Sequence, residues 1–205
     1  RYLGYLHREI AMIGRLFDPG RPVRQLHFGG GTPNFLDIAR LGALMRDLAA
    51  HFRFPKGDAI EAGIEVDPRF ADFDYIRELG RMDFNRISIG VQDFDPAVQA
   101  AVNRFQTLEQ TAAAVEGARA ADFRSVNVDL IYGLPRQTLD GFARTLDQTI
   151  GLAPDRVAVY GYAHLPRLFK AQRQIEAGDL PNPAMRLNLL GLAMEKLLDA
   201  GYVYI

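Results

Sequence analysis

The segment RQLHFGGGTPNFL, Arg24 to Leu36, carries an apolar, strand-like run through three consecutive glycines into a proline. A strand that breaks on glycine and leads to a helix is the junction of a parallel α/β fold, provided the rest of the chain repeats it. It does. After the glycines, Asp37 is a plausible N-cap, and Leu41, Leu44 and Leu48 share one face of a helix near Asp37 to Phe52. Ala59 to Val66 (AIEAGIEV) predicts a second strand, followed by a helix from about Phe70 to Met82. NRISIGVQ predicts a third strand, with helical segments across Pro96 to Ala121 after it. SVNVDLIYG with Thr138 to Leu152 makes a fourth unit, and RVAVYGYA with helices before Gly178 and from Pro183 to Ala200 makes a fifth. Upstream of all of them, Tyr2, Leu6, Ile10, Ile13 and Leu16 fall at spacings of three and four, an amphipathic helix.

Strands alternating with longer helices pair in parallel. A doubly wound open sheet would give the same alternation. Polar or glycine residues nevertheless occur at the C-terminal end of every strand, as around a barrel mouth, and this favours an incomplete barrel. The unpaired first helix predicts another strand before Arg1, hence a sheet of at least six strands. The closing GYVYI reads as the start of a further strand. Because the chain also opens on Arg1 rather than methionine, it is expected to be truncated at both ends.

The 205 residues suit one domain, and 48% hydrophobic with 24% charged residues is an ordinary globular balance. No apolar run is long enough for a transmembrane helix, so a cytoplasmic protein is expected. A formal charge of −1 with dispersed Lys and Arg supplies no attraction for nucleic acid or an anionic membrane. Without a coiled-coil pattern, a monomer is expected. Cysteine is absent, which rules out disulfides and thiolate chemistry within these residues, and the four histidines lack metal-binding spacing.

The strand ends read GGGTP, EVDPR, GVQDF, DLIYGLP and YGYAHLP. Glycines at Gly29 to Gly31 let a ligand approach the main chain, although an isolated triplet is more readily explained as a tight turn. No Gly-Lys-Ser/Thr follows, so this is no P-loop, and the spaced glycines of a dinucleotide fingerprint are missing. Glu65 stands in an otherwise apolar strand and needs a partner: a vicinal diol such as a ribose, or a salt bridge to Arg86. Asp129 poses the same problem. Gln92 offers a donor and an acceptor. Arg104, read as lying on a following helix, could hold a carboxylate or simply face solvent. His164 alone reads as a hydrogen-bonded loop residue.

Taken together, HFGGGTP, IEVDPR, FNRISIGVQDF, VNRFQ, DLIYGLPRQT and YAHLPRLFKAQR resemble the oxygen-independent coproporphyrinogen III oxidase (coproporphyrinogen dehydrogenase) family of radical S-adenosylmethionine (SAM) enzymes. The resemblance covers essentially the whole chain. It implies a partial (β/α)6 barrel, with residues 1–205 forming part of a radical SAM core domain. It also implies a [4Fe-4S] cluster and two SAM molecules at the mouth. By matching motifs, Gly30 and Glu65 would serve the first SAM, and Gly31, Thr32, Gln92, Arg104, Asp129 and Ala163 the second. The implied reaction belongs to haem biosynthesis: oxidative decarboxylation of two propionates of coproporphyrinogen III to vinyl groups, giving protoporphyrinogen IX. A 5'-deoxyadenosyl radical would abstract a propionate β-hydrogen, and an unidentified electron donor would serve the cluster.

The family's C-x-x-x-C-x-x-C cluster loop has no counterpart here. Tyr2 to Leu16 matches the helix that follows that loop, so truncation is the expected reason, and the 205-residue chain alone is expected to be inactive. Two other readings compete. A related haem chaperone shares GGGTP and NRISIGVQ but binds and transfers haem; EVDPR, VNRFQ and YAHLPRLFKAQR look more like the oxidase. An ordinary α/β barrel hydrolase or lyase using Glu65 and Asp129 as acid and base would leave the triple glycine unexplained.

Overall fold

The computed structural model describes residues 1–205, apart from the side chain of Asp58. The helices are α1 (Tyr2–Gly14), α2 (Ile38–His51), α3 (Phe73–Arg81), α4 (Pro96–Ala101), α5 (Leu108–Ala120), α6 (Leu139–Gly151) and α7 (Pro183–Asp199). The strands are β1 (Gln25–Phe28), β2 (Glu61–Val66), β3 (Arg86–Gln92), β4 (Ser125–Tyr132) and β5 (Arg156–Gly161). Helix starts follow local chemistry. Asp37, Asp72, Thr138 and Asn182 each accept a hydrogen bond from a backbone N–H in the first turn of the helix they precede. Thr107 and Gln110 close a reciprocal capping box at the start of α5.

All five strands pair in parallel, in the order β1-β2-β3-β4-β5. A doubly wound sheet reverses its strand order at a switch point, whereas here every crossover steps the same way, the winding of a barrel. The two faces of the sheet differ sharply. On one, Ile64, Val66, Ile87, Ile89, Val91, Val126, Val128 and Leu130 are at most 3% exposed and join a single core with Leu41, Ile76, Leu79, Phe142, Leu146 and Leu189 from the helices. On the other, residues from all five strands, from Gln25 to Tyr160, line one cavity of about 480 Å3. Only a curved sheet lets its first and last strands share a cavity.

The α3–α5 contact is tight enough to require glycine. A Cβ on Gly117 would lie 2.9 Å from the Phe73 carbonyl oxygen and 3.0 Å from the Ile76 Cβ. Alanine is the better helix former, but the clash involves backbone, so Gly117→Ala is expected to lower stability by about 1–2 kcal/mol, read from the urea midpoint at unchanged m.

The sheet holds the five strands read within the chain, with β1 at one edge; the further strand expected before Arg1 lies outside these residues. Within these residues GYVYI is unpaired: Gly201, at φ +89°, turns the chain out of α7, Tyr202 folds back to donate its hydroxyl hydrogen bond to the Pro154 carbonyl (2.7 Å), and Tyr204 and Ile205 are exposed. The stripe of α1 is only partly covered. Ile10 is buried, but Tyr2 and Leu16 are 74% and 77% exposed, because the helix ends at Gly14 and rests on α2 along one short seam.

Candidate functional site

The strand ends meet in a cleft of about 130 Å3 at the C-terminal mouth of the arc. Gly31, Thr32, Glu65, Gln92, Arg104 and Asp129 all line it. Gly30 is next to this lining without being part of it, and its φ of +99° makes the bend that carries the chain from β1 across the mouth. Ala163 stands apart in the loop after β5, where its carbonyl accepts a hydrogen bond from the Gln172 side chain at 3.0 Å. His164 is equally apart, beside the Tyr162 ring.

Glu65 projects from β2 into the concavity, with a side chain 42% exposed. Its neighbour is His27 of β1, whose Nε2 is 3.2 Å from Glu65 Oε1. The expected alternative partner, Arg86, instead donates to Glu61 at 2.7 Å. Register explains the difference. Arg86 pairs with Gly63, which places it toward the N-terminal half of β2, while Ser88 lies opposite Glu65. Gly29 packs against this pair: a Cβ would stand 2.7 Å from Glu65 Oε1 and 2.9 Å from His27 Nε2, so any side chain here would displace one of them.

Asp129, on β4, closes a ring of three polar side chains. Ser88 Oγ donates to Asp129 Oδ2 at 2.7 Å, and Asn127 Nδ2 donates to Asp129 Oδ1 and to Ser88 Oγ, both at 2.8 Å. Burial pushes the Asp129 carboxyl above its ordinary pKa, helped by the negative charge of Glu65 and opposed by the two donated hydrogen bonds.

Gln92 ends β3 at φ +68°, just past a register shift between Gly90 and Gln92. The bulge turns its side chain to the mouth. Arg104 is on the loop between α4 and α5, not on a helix as expected, since α4 stops at Ala101 and Asn103 takes a left-handed conformation. Its Nη1 donates to Asp67 Oδ2 at 2.9 Å and its Nη2 to the Gly90 carbonyl at 2.7 Å, while its Nε is buried with no partner.

Asp67, Ser88, Asn127 and Asn34 escaped the sequence reading. The signal for two of them is period-two alternation: Ser88 and Asn127 occupy the same strand face as Glu65 and Asp129. Asp67 is 6% exposed. Burial raises its pKa, but hydrogen bonds from Arg69 and the charges of Arg104 and Arg69 outweigh this and hold the carboxyl below its ordinary range. Its contribution to stability is therefore complete above the unfolded-state value and is lost as pH falls through the lowered folded value.

The donor set is chemically mixed. Two carboxylates suit a diol and a cationic centre, and an arginine with an orphaned buried donor suits a carboxylate. A ligand bearing a ribose, a positive charge and an amino-acid end satisfies all of these groups, and SAM is such a ligand. An iron–sulfur cluster finds no such match. The chain has no cysteine, and the described residues include no group of three His, Asp or Glu side chains able to hold a metal. No described helix is long and apolar enough to cross a membrane.

Known proteins agree with this geometry. The chain is 52% identical over 204 residues to an oxygen-independent coproporphyrinogen III oxidase of Pseudomonas aeruginosa, and 47% identical over 205 residues to one of Escherichia coli. Each alignment takes in 100% of this chain but 44% of the relative, so the chain spans under half the length of these proteins. A solved structure of the E. coli coproporphyrinogen III oxidase, described as a radical SAM enzyme, superposes with a TM-score of 0.95 at 46% identity, covering all of this chain and 46% of that one. With residues 5–149 also matching the radical SAM superfamily as a whole, on a sheet of five parallel strands, the chain belongs to the radical SAM superfamily.

Proposed function

We propose that this chain forms the SAM-binding part of an oxygen-independent coproporphyrinogen III oxidase, which converts coproporphyrinogen III to protoporphyrinogen IX in haem biosynthesis. The carrying observation is identity of about one half along the entire chain to proteins named for that activity. The cleft chemistry supports it independently. Bound SAM would supply the hydrogen-abstracting radical by which two propionates lose CO2 and become vinyl groups.

The chain's own residues bind and orient. Gly30 and Glu65 would serve one SAM, with the Glu65 carboxylate accepting from the ribose hydroxyls. Gly31, Thr32, Gln92, Arg104, Asp129 and Ala163 would serve a second, and the exposed position of Ala163 suits contact through its main chain. Asp129, held by Ser88 and Asn127, would accept from a hydroxyl or ammonium without having to reorganise. Ligands for a [4Fe-4S] cluster are not among these residues. A cytoplasmic monomer served by a separate electron donor completes the reading.

The test is a chimera in which residues 1–205 replace the matching segment of the E. coli relative. Anaerobic assay with SAM is expected to give protoporphyrinogen IX at a rate within about tenfold of the parent, a barrier change below about 1.4 kcal/mol. A folded, SAM-binding chimera that yields no product would overturn the proposal. Stable haem binding in its place would identify the chaperone.

A further inference from the structure

Arg104 reaches the cleft from a loop, and a long side chain on a loop has many positions open to it. Here it has one. Asp67 Oδ2, at the end of β2, accepts from Arg104 Nη1 at 2.9 Å, and the Gly90 carbonyl on β3 accepts from Nη2 at 2.7 Å. Asp67 is itself immobilised. Arg69 donates from Nη2 to Oδ2 at 2.7 Å and from its backbone N–H to Oδ1 at 3.1 Å. The Asn34 side chain pairs with both the N–H and the carbonyl of Asp67, each at 2.9 Å, joining the loop after β1 to the end of β2. Asn34 is 5% exposed, so the joint is dry.

One carboxylate facing two guanidinium groups leaves a positive charge in excess. Arg69 donates to Asp67 from Nε and Nη2 and lies outside the cleft lining, whereas Arg104 lines the cleft and keeps a buried Nε without a partner. Of the two guanidinium groups, Arg104 is the one placed to present this excess charge to the cleft. We propose that Asp67 is a positioning residue: it fixes the Arg104 guanidinium at the mouth so that the free donors meet a carboxylate of the bound ligand. This rests on the SAM reading above and adds a residue which that reading does not use.

The experiment uses the 205-residue chain and two readouts. The first, without ligand, is hydrogen exchange at Arg104 Nε–H by nitrogen-15 NMR. Asp67→Asn is expected to accelerate it roughly tenfold or more, as loss of a charge-assisted bond would. The second is SAM affinity by calorimetry. Asp67→Asn and Arg104→Gln are each expected to weaken binding about tenfold, and the double variant no more than Arg104→Gln alone, because Asp67 acts through Arg104.

Unchanged exchange at Arg104, or losses that add in the double variant, would overturn the inference and leave Asp67 a purely structural residue. Accelerated exchange in a chain that binds no SAM would uphold the positioning and sink the cofactor reading. Should Asp67→Asn fail to fold, Asp67→Glu makes the same comparison. It keeps the charge but moves the carboxylate by one methylene, and both exchange and affinity must still change.

Discussion

Asp93→Ala is expected to cost about 3–4 kcal/mol of stability, which is a large share of the roughly 5–15 kcal/mol that holds a domain together. Asp93 follows β3 immediately, is 2% exposed, and collects three donors: Thr145 Oγ1 at 2.7 Å, Gln137 Nε2 at 2.6 Å and the Asp95 backbone N–H at 2.7 Å. Burial raises its pKa, against the pull of those donors. Alanine leaves the donors without an acceptor in a place that water does not reach, and each orphaned group costs about 1 kcal/mol or more. Urea unfolding with an unchanged m-value is the measurement. A loss below about 1 kcal/mol would mean that the three donors find other partners.

Glu65→Ala is expected to do the opposite: to spare the fold and disable the site. Glu65 is half-exposed and its carboxylate pairs with His27 alone among side chains, at 3.2 Å, so its removal should change stability by less than about 1 kcal/mol. If its carboxylate accepts from two ribose hydroxyls, the loss of both charge-assisted bonds is worth about 3 kcal/mol, or roughly a hundredfold in SAM affinity. Calorimetry alongside a thermal melt separates the two effects. Unchanged affinity would remove Glu65 from the binding set, whatever becomes of the oxidase reading.

The contrast between these residues shows where the sequence was readable. Asp37 and Thr138 announce helix starts because a cap acts on residues two or three positions away, and both are caps. The alternation of strands and helices is legible for the same local reason. Asp67 was not, because what defines it lies far along the chain: Asn34 is 33 residues before it and Arg104 is 37 after. Glu61 took Arg86 from Glu65 through a register that only the folded sheet sets. Ser88 and Asn127 were visible in principle, as polar residues in step with Asp129, but only once the face they share was known to be concave. Helix α1 itself was legible. Its periodicity is real, yet amphipathicity states what a helix could bury, not what this one does.

The sheet's two-faced character also bears on how such a chain can change over generations. Apolar packing is concentrated on the helix-covered side, while Glu65, Ser88, Asn127 and Asp129 stand on the other and the remaining cleft groups come from the loops at its mouth. Along each strand, neighbouring positions therefore answer to different selective demands. Substitutions on the concave side can explore new ligands without eroding the core, and drift in the core can proceed without disturbing the chemistry. A barrel whose lumen was filled with leucine would have no such freedom.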